Sequence, residues 1–218
     1  MAQTTRWWWV RHGPVHNPDR RLYGQSDLDA HFPDEQAVAA LAARLPRDAL
    51  WLTSHLRRTH QTADALIKTL EKKPAAGPDA HTALAEQHFG DWQGLSFSEL
   101  RELGDDFERI WSAPGATRPP GGENFADVIA RVAPVIEDMT ARHAGRDIVA
   151  IAHGGTIRAA LALALGLDAD TALGFRIDTL SLTRIDFVPQ GKERRPGSLR
   201  RWRIEAVNLP PLPPDACE

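Results

Sequence analysis

Three times in this chain a run of apolar residues gives way abruptly to side chains that can carry positive charge. Trp7-Trp8-Trp9-Val10 runs into Arg11-His12 and a Gly13-Pro14 turn, Ala49-Leu50-Trp51-Leu52-Thr53 into Ser54-His55-Leu56-Arg57-Arg58, and Ile148-Val149-Ala150-Ile151-Ala152 into His153-Gly154-Gly155. Apolar runs without polar alternation are expected to be strands buried on both faces, as in the middle of a parallel sheet. Ligands of open α/β sheets bind beyond the carboxyl ends of such strands, so Arg11, His12, the pair Arg57-Arg58 and His153 are placed for a site by position alone. The second and third junctions lead into helical patterns, and a helix N-terminus adds backbone N–H groups and a positive dipole end. The chemistry this implies is recognition of an anion.

The segments between the junctions read as the crossovers that bring them together. Residues 34–45 begin with acids and continue with Val38, Leu41, Ala42 and Leu45 at a helical period; Ala63, Leu66, Ile67 and Leu70 repeat the pattern after the second strand. Residues 14–28 are rich in turn formers and read as a long loop, and residues 71–80 as a polar connection. Ser96-Phe97-Ser98-Glu99 is a capping box predicted to open a helix through about Trp111, ended by Pro114-Gly115. The Pro- and Gly-rich stretch 114–122 is expected to lie over the mouth of the site. Phe125, Val128, Ile129, Val132, Ile136 and Met139 form the apolar face of a helix capped by Asn124 and kinked at Pro134. Ala159 to Leu165 reads as a buried helix ending at Gly166, and residues 175–187 and 202–207 as late strands in a hairpin. The chain is thus expected to form a single domain over 1–208, followed by a polyproline-like tail over 209–218 without core packing.

Bulk properties narrow the function. The 218 residues, 42% apolar and 25% charged, are a globular composition of one-domain size. A formal net charge of -3 announces no nucleic-acid or membrane partner, so any anion site is local. The basic turn over 192–201 reads on the same ground as a solvated loop. Cys217 is the single cysteine, which excludes an intrachain disulfide and suits a reducing compartment. No secretory or membrane-spanning pattern is present, so the expected location is cytoplasmic. The nine histidines show no metal-ligand spacing; His55 and His60, five apart, do not share a helix face.

Arg11-His12-Gly13 at a strand end resembles the signature of the histidine phosphatase superfamily, with its phosphoglycerate mutase-like fold. Three further segments follow in the order that family shows: Ser54-x-Leu56-x-Arg58-x-x-Gln61-Thr62-Ala63, Leu84-x-Glu86-x-x-x-Gly90-x-Trp92-Gln93-Gly94, and Ala152-His153-Gly154-Gly155. Gly121-Gly122-Glu123 resembles a segment of the phosphatase branch, which includes alpha-ribazole phosphatases and broad-specificity phosphatases. The resemblance implies an α/β protein, a three-layer α/β/α sandwich with a mainly parallel central sheet. It also implies His12, Glu86 and His153 as catalytic residues and Arg11, Arg58, His153, Asn17 and Gly154 as phosphate-binding residues, with Tyr23 and Gly24 lining the substrate pocket. Pro14 and Val15 stand where the family often has Glu-Thr, and the spacing to Asn17 is one residue short, which puts a hydroxyl contact to the phosphate in question. Arg57 has no counterpart and reads as a solvated cation; His88 reads as structural or exposed.

Phosphoryl transfer asks of a protein a positioned nucleophile and positive charge around the transferring oxygens. A neutral His12 supplies the first as the site of a phosphohistidine. Arg11, Arg58 and His153 supply the second, in the role a metal would otherwise play. A protonated Glu86 can protonate the leaving alkoxide and then activate water. The implied activity is therefore metal-independent and cofactor-free hydrolysis of a small phosphorylated metabolite, with a homodimer allowed. A phosphoglycerate mutase within the family and a non-catalytic phospho-ligand binder are the other readings. The short chain and Gly121-Gly122-Glu123 favour a phosphatase over the mutase, and the joint presence of Arg11, His12, Arg58, Glu86 and His153 favours an enzyme over the binder.

Overall fold

The computed structural model describes residues 3–104, 108–109, 112–189 and 201–212. Its centre is a six-stranded sheet in the order β3-β2-β4-β1-β5-β6, formed by β1 (Thr5–Arg11), β2 (Ala49–Thr53), β3 (Asp79–Ala80), β4 (Asp147–Ala152), β5 (Leu182–Phe187) and β6 (Trp202–Leu209). β1, β2, β3 and β4 run parallel; β5 and β6 are antiparallel additions beside β1. The three junction-bearing strands thus occupy neighbouring places, with β4 between β2 and β1.

Helices cover both faces because the central strands are apolar on both. On one face Trp7, Trp9, Leu52, Ile148 and Ala150 pack against α4 (Phe125–Arg142) and α5 (Gly154–Leu165), through Val128, Val132, Ile136, Ile157 and Leu161. On the other, Val10, Trp51, Val149 and Ile151 meet α1 (Glu35–Arg44) and α2 (Arg57–Thr69), through Val38, Leu41, Ala63 and Leu66. Trp7 and Trp9 stack with ring centroids 4.9 Å apart, and Trp7 Nε1 donates to Thr140 Oγ1, which satisfies the polar end of a buried indole. Trp8 departs from the expected full burial. It stays half-buried on the second face, donates to Asp147 Oδ1, and carries the Arg184 guanidinium over its ring.

The remaining elements depart from expectation where tertiary contacts outweigh local pattern. The capping box at Ser96 and Glu99 is formed, yet α3 (Phe97–Arg101) is short and turns at Glu102 to Gly104; Trp111 lies outside the described residues. α4 runs unbroken through Pro134 from its own capping box at Asn124 and Asp127. The late hairpin forms, but residues 175–181 are a loop in which Phe175 O and Ile177 O accept from Arg158 and Arg11. β6 extends to Leu209, opposite Leu182, and Arg44 donates to Pro210 O at 2.7 Å, so the start of the expected tail is attached to the domain. A short α6 (Ala169–Leu173) completes the chain order. The basic turn 192–200 and residues 213–218 lie outside the described residues. Among the described residues no helix is long and apolar enough to cross a membrane.

Candidate active site

Sheet register brings the two histidines together. β1 and β4 pair with Arg11 opposite Ala152, so His12 and His153 follow as the next residues of adjacent parallel strands, and His12 N donates to Ala152 O at 2.9 Å. Both side chains are fully buried, with ring centroids 5.2 Å apart. His12 Nδ1 lies 2.7 Å from Gly13 O; a carbonyl only accepts, so Nδ1 carries the hydrogen and Nε2 holds a lone pair. Burial, with help from the nearby Arg58 and Arg11 charges and against the Gly13 contact, lowers the His12 pKa to about 3. The ring is therefore neutral across the physiological range, the form a nucleophile requires. His153 is likewise held neutral, by burial first and then by His12, Arg58 and Arg11; its Nε2 lies 2.8 Å from Ser54 Oγ.

The arginines are aimed by backbone carbonyls. Arg58, at the start of α2 and fully buried, donates to Ser26 O at 2.8 Å and Gly24 O at 2.6 Å, and its guanidinium stands 5.1 Å from the Tyr23 ring centre. Arg11 donates from Nη1 to Ile177 O at 2.5 Å. Thr62 links the first two junctions: its hydroxyl accepts from Gly13 N and donates to Arg58 O. Among the described residues four buried nitrogens then have no hydrogen-bond partner, namely Arg11 Nε, His12 Nε2, Arg58 Nε and His153 Nδ1. Buried polar atoms are nearly always paired, and a group of unpaired ones contributed by adjacent strand ends calls for a ligand rich in acceptors. A tetrahedral oxyanion answers that requirement, its oxygens toward the arginines and its central atom toward the His12 lone pair.

Glu86 is positioned by the loop that follows a 3₁₀ turn at Thr82–Leu84. Its Oε1 accepts from Gly155 N and from Gln87 N, each at 3.0 Å, which places the carboxylate at the start of α5. A Cβ at Gly155 would collide with that same oxygen, so the close approach requires glycine there. The loop backbone is held by Arg131 of α4, which donates to the carbonyls of Ala83, Ala85 and Glu86 and forms a two-pronged pair with Glu123. Gln25 Nε2 adds a further bond to Glu86 O.

The other sequence-predicted residues divide by role. Gly154, buried at the start of α5, leaves room beside Arg11 and Arg158, whose atoms lie 3.4 to 3.8 Å from where its Cβ would stand. Tyr23 sits edge-on to His12, with centroids 6.4 Å apart. Gly24 has φ +42 and turns its carbonyl to Arg58; a side chain there would strike Gln93, Gln87 and Phe89. Asn17 stands apart. Its amide donates to Arg21 O and accepts from Arg21 N, closing its own loop, and none of the described contacts ties it to the four buried nitrogens.

Arg57 is exposed as expected, but it is engaged: it bonds Asp27 through both side chain and backbone and lies 3.2 Å from Asp29. His88 Nδ1 accepts from Gly90 N, a structural contact. Ser54, Thr62, Arg131 and Arg158 carry roles that were not assigned from the sequence. Ser54 and Thr62 lie inside the matched motif, which is a signal; Arg131 interrupts an apolar helix pattern, and its partners lie too far along the chain to be read there. Among the described residues no group of three or more His, Cys, Asp or Glu side chains could hold a metal ion.

A family profile for the histidine phosphatase superfamily (branch 1) matches residues 7–196. The chain belongs to this superfamily. It is 36% identical over 173 residues to a glucosyl-3-phosphoglycerate phosphatase of Mycolicibacterium vanbaalenii, covering 74% of each chain. The native structure of a mycobacterial glucosyl-3-phosphoglycerate phosphatase superposes with TM-score 0.77 at 28% identity, over 95% of this chain and 100% of the other. A putative alpha-ribazole-5'-P phosphatase from Escherichia coli shares the fold at TM-score 0.76 and 22% identity, over 95% and 97%. Superfamily membership and phosphatase relatives make this chain an enzyme of the phosphatase kind.

Proposed function

We propose that the protein hydrolyses a small phosphomonoester without a metal, in two steps through a phosphohistidine on His12. The observation that carries this reading is the set of four unpartnered buried nitrogens, one of them the lone-pair nitrogen of a neutral imidazole. In the first step His12 Nε2 attacks phosphorus, the P–N bond forms as the ester P–O bond breaks, and Glu86, carrying a proton, delivers it to the leaving alkoxide. In the second, Glu86 as carboxylate takes a proton from water, whose oxygen attacks phosphorus; the P–N bond breaks, and inorganic phosphate leaves with His12 neutral again. Arg11, Arg58 and the N–H of His153 stabilise charge on the equatorial oxygens, the largest electrostatic demand of the transfer. The similarity to glucosyl-3-phosphoglycerate phosphatases supports a substrate drawn from small phosphorylated metabolites. The net charge of -3 supports a partner other than nucleic acid, and the single cysteine suits a reducing compartment such as the cytoplasm.

A screen of phosphomonoesters for phosphate release, run with and without EDTA, tests the reading, with brief labelled incubations to trap the intermediate. The expected result is EDTA-insensitive hydrolysis with label that is stable in alkali, lost in acid and absent from His12→Ala. Acid-stable label, or bisphosphoglycerate-dependent isomerisation of 3-phosphoglycerate without phosphate release, would overturn it.

A further inference from the structure

Ser54, the residue after β2, is fully buried and is the only partner of His153 Nε2 among the described hydrogen bonds. Its hydroxyl has three neighbours. Leu56 N–H donates to it at 3.2 Å, Thr59 Oγ1 lies at 3.1 Å, and His153 Nε2 is nearest at 2.8 Å. Thr59 has acceptors of its own for its proton, Leu56 O at 2.8 Å and Ser54 O at 3.1 Å. The Ser54 proton therefore has two destinations, Thr59 Oγ1 or His153 Nε2.

The choice decides what His153 presents to the site. A neutral imidazole carries one N–H, and the partner of one ring nitrogen determines the state of the other. If Ser54 donates to Thr59, His153 must donate from Nε2, and Nδ1 becomes a bare lone pair. That lone pair, buried beside His12, would face phosphoryl oxygens that also only accept. If Ser54 donates to His153 Nε2, the Leu56 N–H is still satisfied and Nδ1 carries the hydrogen. Only the second arrangement leaves no repulsion between acceptors once an oxyanion is bound.

We propose that Ser54 is a positioning residue that holds His153 as the Nδ1–H tautomer, so that a donor faces the transferring phosphoryl group. The inference rests on the phosphoryl-transfer reading of this site and assigns the motif serine a task distinct from that of Arg58. Ser54 touches neither substrate nor reacting atoms; it acts through His153.

The test is a long-range proton–nitrogen correlation spectrum of histidine-labelled protein saturated with inorganic phosphate, in wild type, Ser54→Ala and Ser54→Thr, with His153 assigned by His153→Gln. Wild type should show His153 protonated at Nδ1 and bare at Nε2. Ser54→Ala should lose that pattern, with kcat down between about tenfold and 10²-fold, the upper figure being the loss of one preorganised donor, and KM changed less. Ser54→Thr, which keeps the hydroxyl, should restore both. The wild-type spectrum needs no variant to fold. An Nε2–H tautomer in phosphate-bound, active wild type would overturn the inference alone, as would an unaltered Nδ1–H pattern and kcat in Ser54→Ala. Inorganic phosphate that fails to perturb the His12 and His153 ring signals would overturn the phosphoryl-transfer reading and this inference with it.

Discussion

Replacing Arg131 with methionine keeps most of the volume of the side chain and removes the donor that organises the Glu86 loop. In the folded protein Arg131 Nε and Nη2 hold the two oxygens of Glu123 at 2.7 and 3.0 Å, while Nη1 and Nη2 reach three carbonyls at 2.7 to 3.0 Å. Both side chains of the pair are about four-fifths buried, at 21% and 22% exposure. Burial raises the Glu123 pKa, but the Arg131 bonds and the His88 N–H outweigh it, so the carboxyl is held below its usual range and is ionised at neutral pH. Arg131→Met leaves that carboxylate without its cation and Ala83 O without its described donor, while Ala85 O keeps Thr156 and Glu86 O keeps Gln25. Removing one partner of a buried pair costs about 3–5 kcal/mol, and partial exposure argues for the lower end, about 3 kcal/mol. In a chain of this size that corresponds to a Tm lower by about 6–12 °C. Scanning calorimetry of Arg131→Met, Glu123→Gln and the double variant forms a double-mutant cycle in which the double variant should recover about 1 kcal/mol or more, because the orphaned charge is gone. The kcat of Arg131→Met should fall more than KM rises, since the Glu86 backbone loses one of its two side-chain donors and keeps only Gln25. A Tm within about 2 °C of wild type, given that scale, or an additive cycle, would refute the reasoning.

Two further outcomes follow from the same geometry. The depressed pKa of His12, about 3 against an ordinary 6.5, means that the unfolded chain binds the extra proton between these values, so stability falls as pH drops through that window. From pH 7 to 4.5 the contribution lost is about 2 to 3 kcal/mol; urea unfolding of wild type should therefore be more pH-sensitive than that of His12→Asn, and parallel curves would contradict the shift. Arg58→Ala should lower kcat by about 10²-fold or more, while Arg57→Ala, which only loosens the loop at Asp27 and Asp29, should cost less than about tenfold, on the scale of an exposed ion pair; steady-state kinetics showing equal losses would mean that the arginine facing the site has been misassigned.

The parts of this molecule legible in the sequence were those where one physical demand dominates. Apolar runs at Trp7, Ala49 and Ile148 announce central strands because a sheet covered on both faces tolerates nothing else. The cation-capable ends of those runs then mark the site. Contacts that depend on distant partners were not legible. Arg131 reads as an interruption of an apolar helix until Glu123 and the Glu86 loop fold against it, and Arg57 reads as solvated until Asp27 arrives from 30 positions earlier. Residues 175–181 alternate like a strand, but Phe175 O and Ile177 O bond Arg158 and Arg11 instead of a neighbouring strand. Asn17 matched a motif position, whereas its amide bonds within its own loop, where the spacing is one residue short.

The pairing of β1 with β4 joins segments about 140 residues apart in the chain. Closing so long a loop has an entropic cost that local structure cannot offset, so pairing of this kind belongs to the slow, collective part of folding. Helices α1, α2 and α4 can flicker into existence before it, but none of them brings His12 beside His153. A chain in which β1 and β4 have not paired therefore contains no weakened version of the site, because it is their register that sets His12 beside His153. The juxtaposition of the two imidazoles is thus acquired with the β1–β4 pairing, and the fraction of chains that have it counts the chains in which that pair has closed.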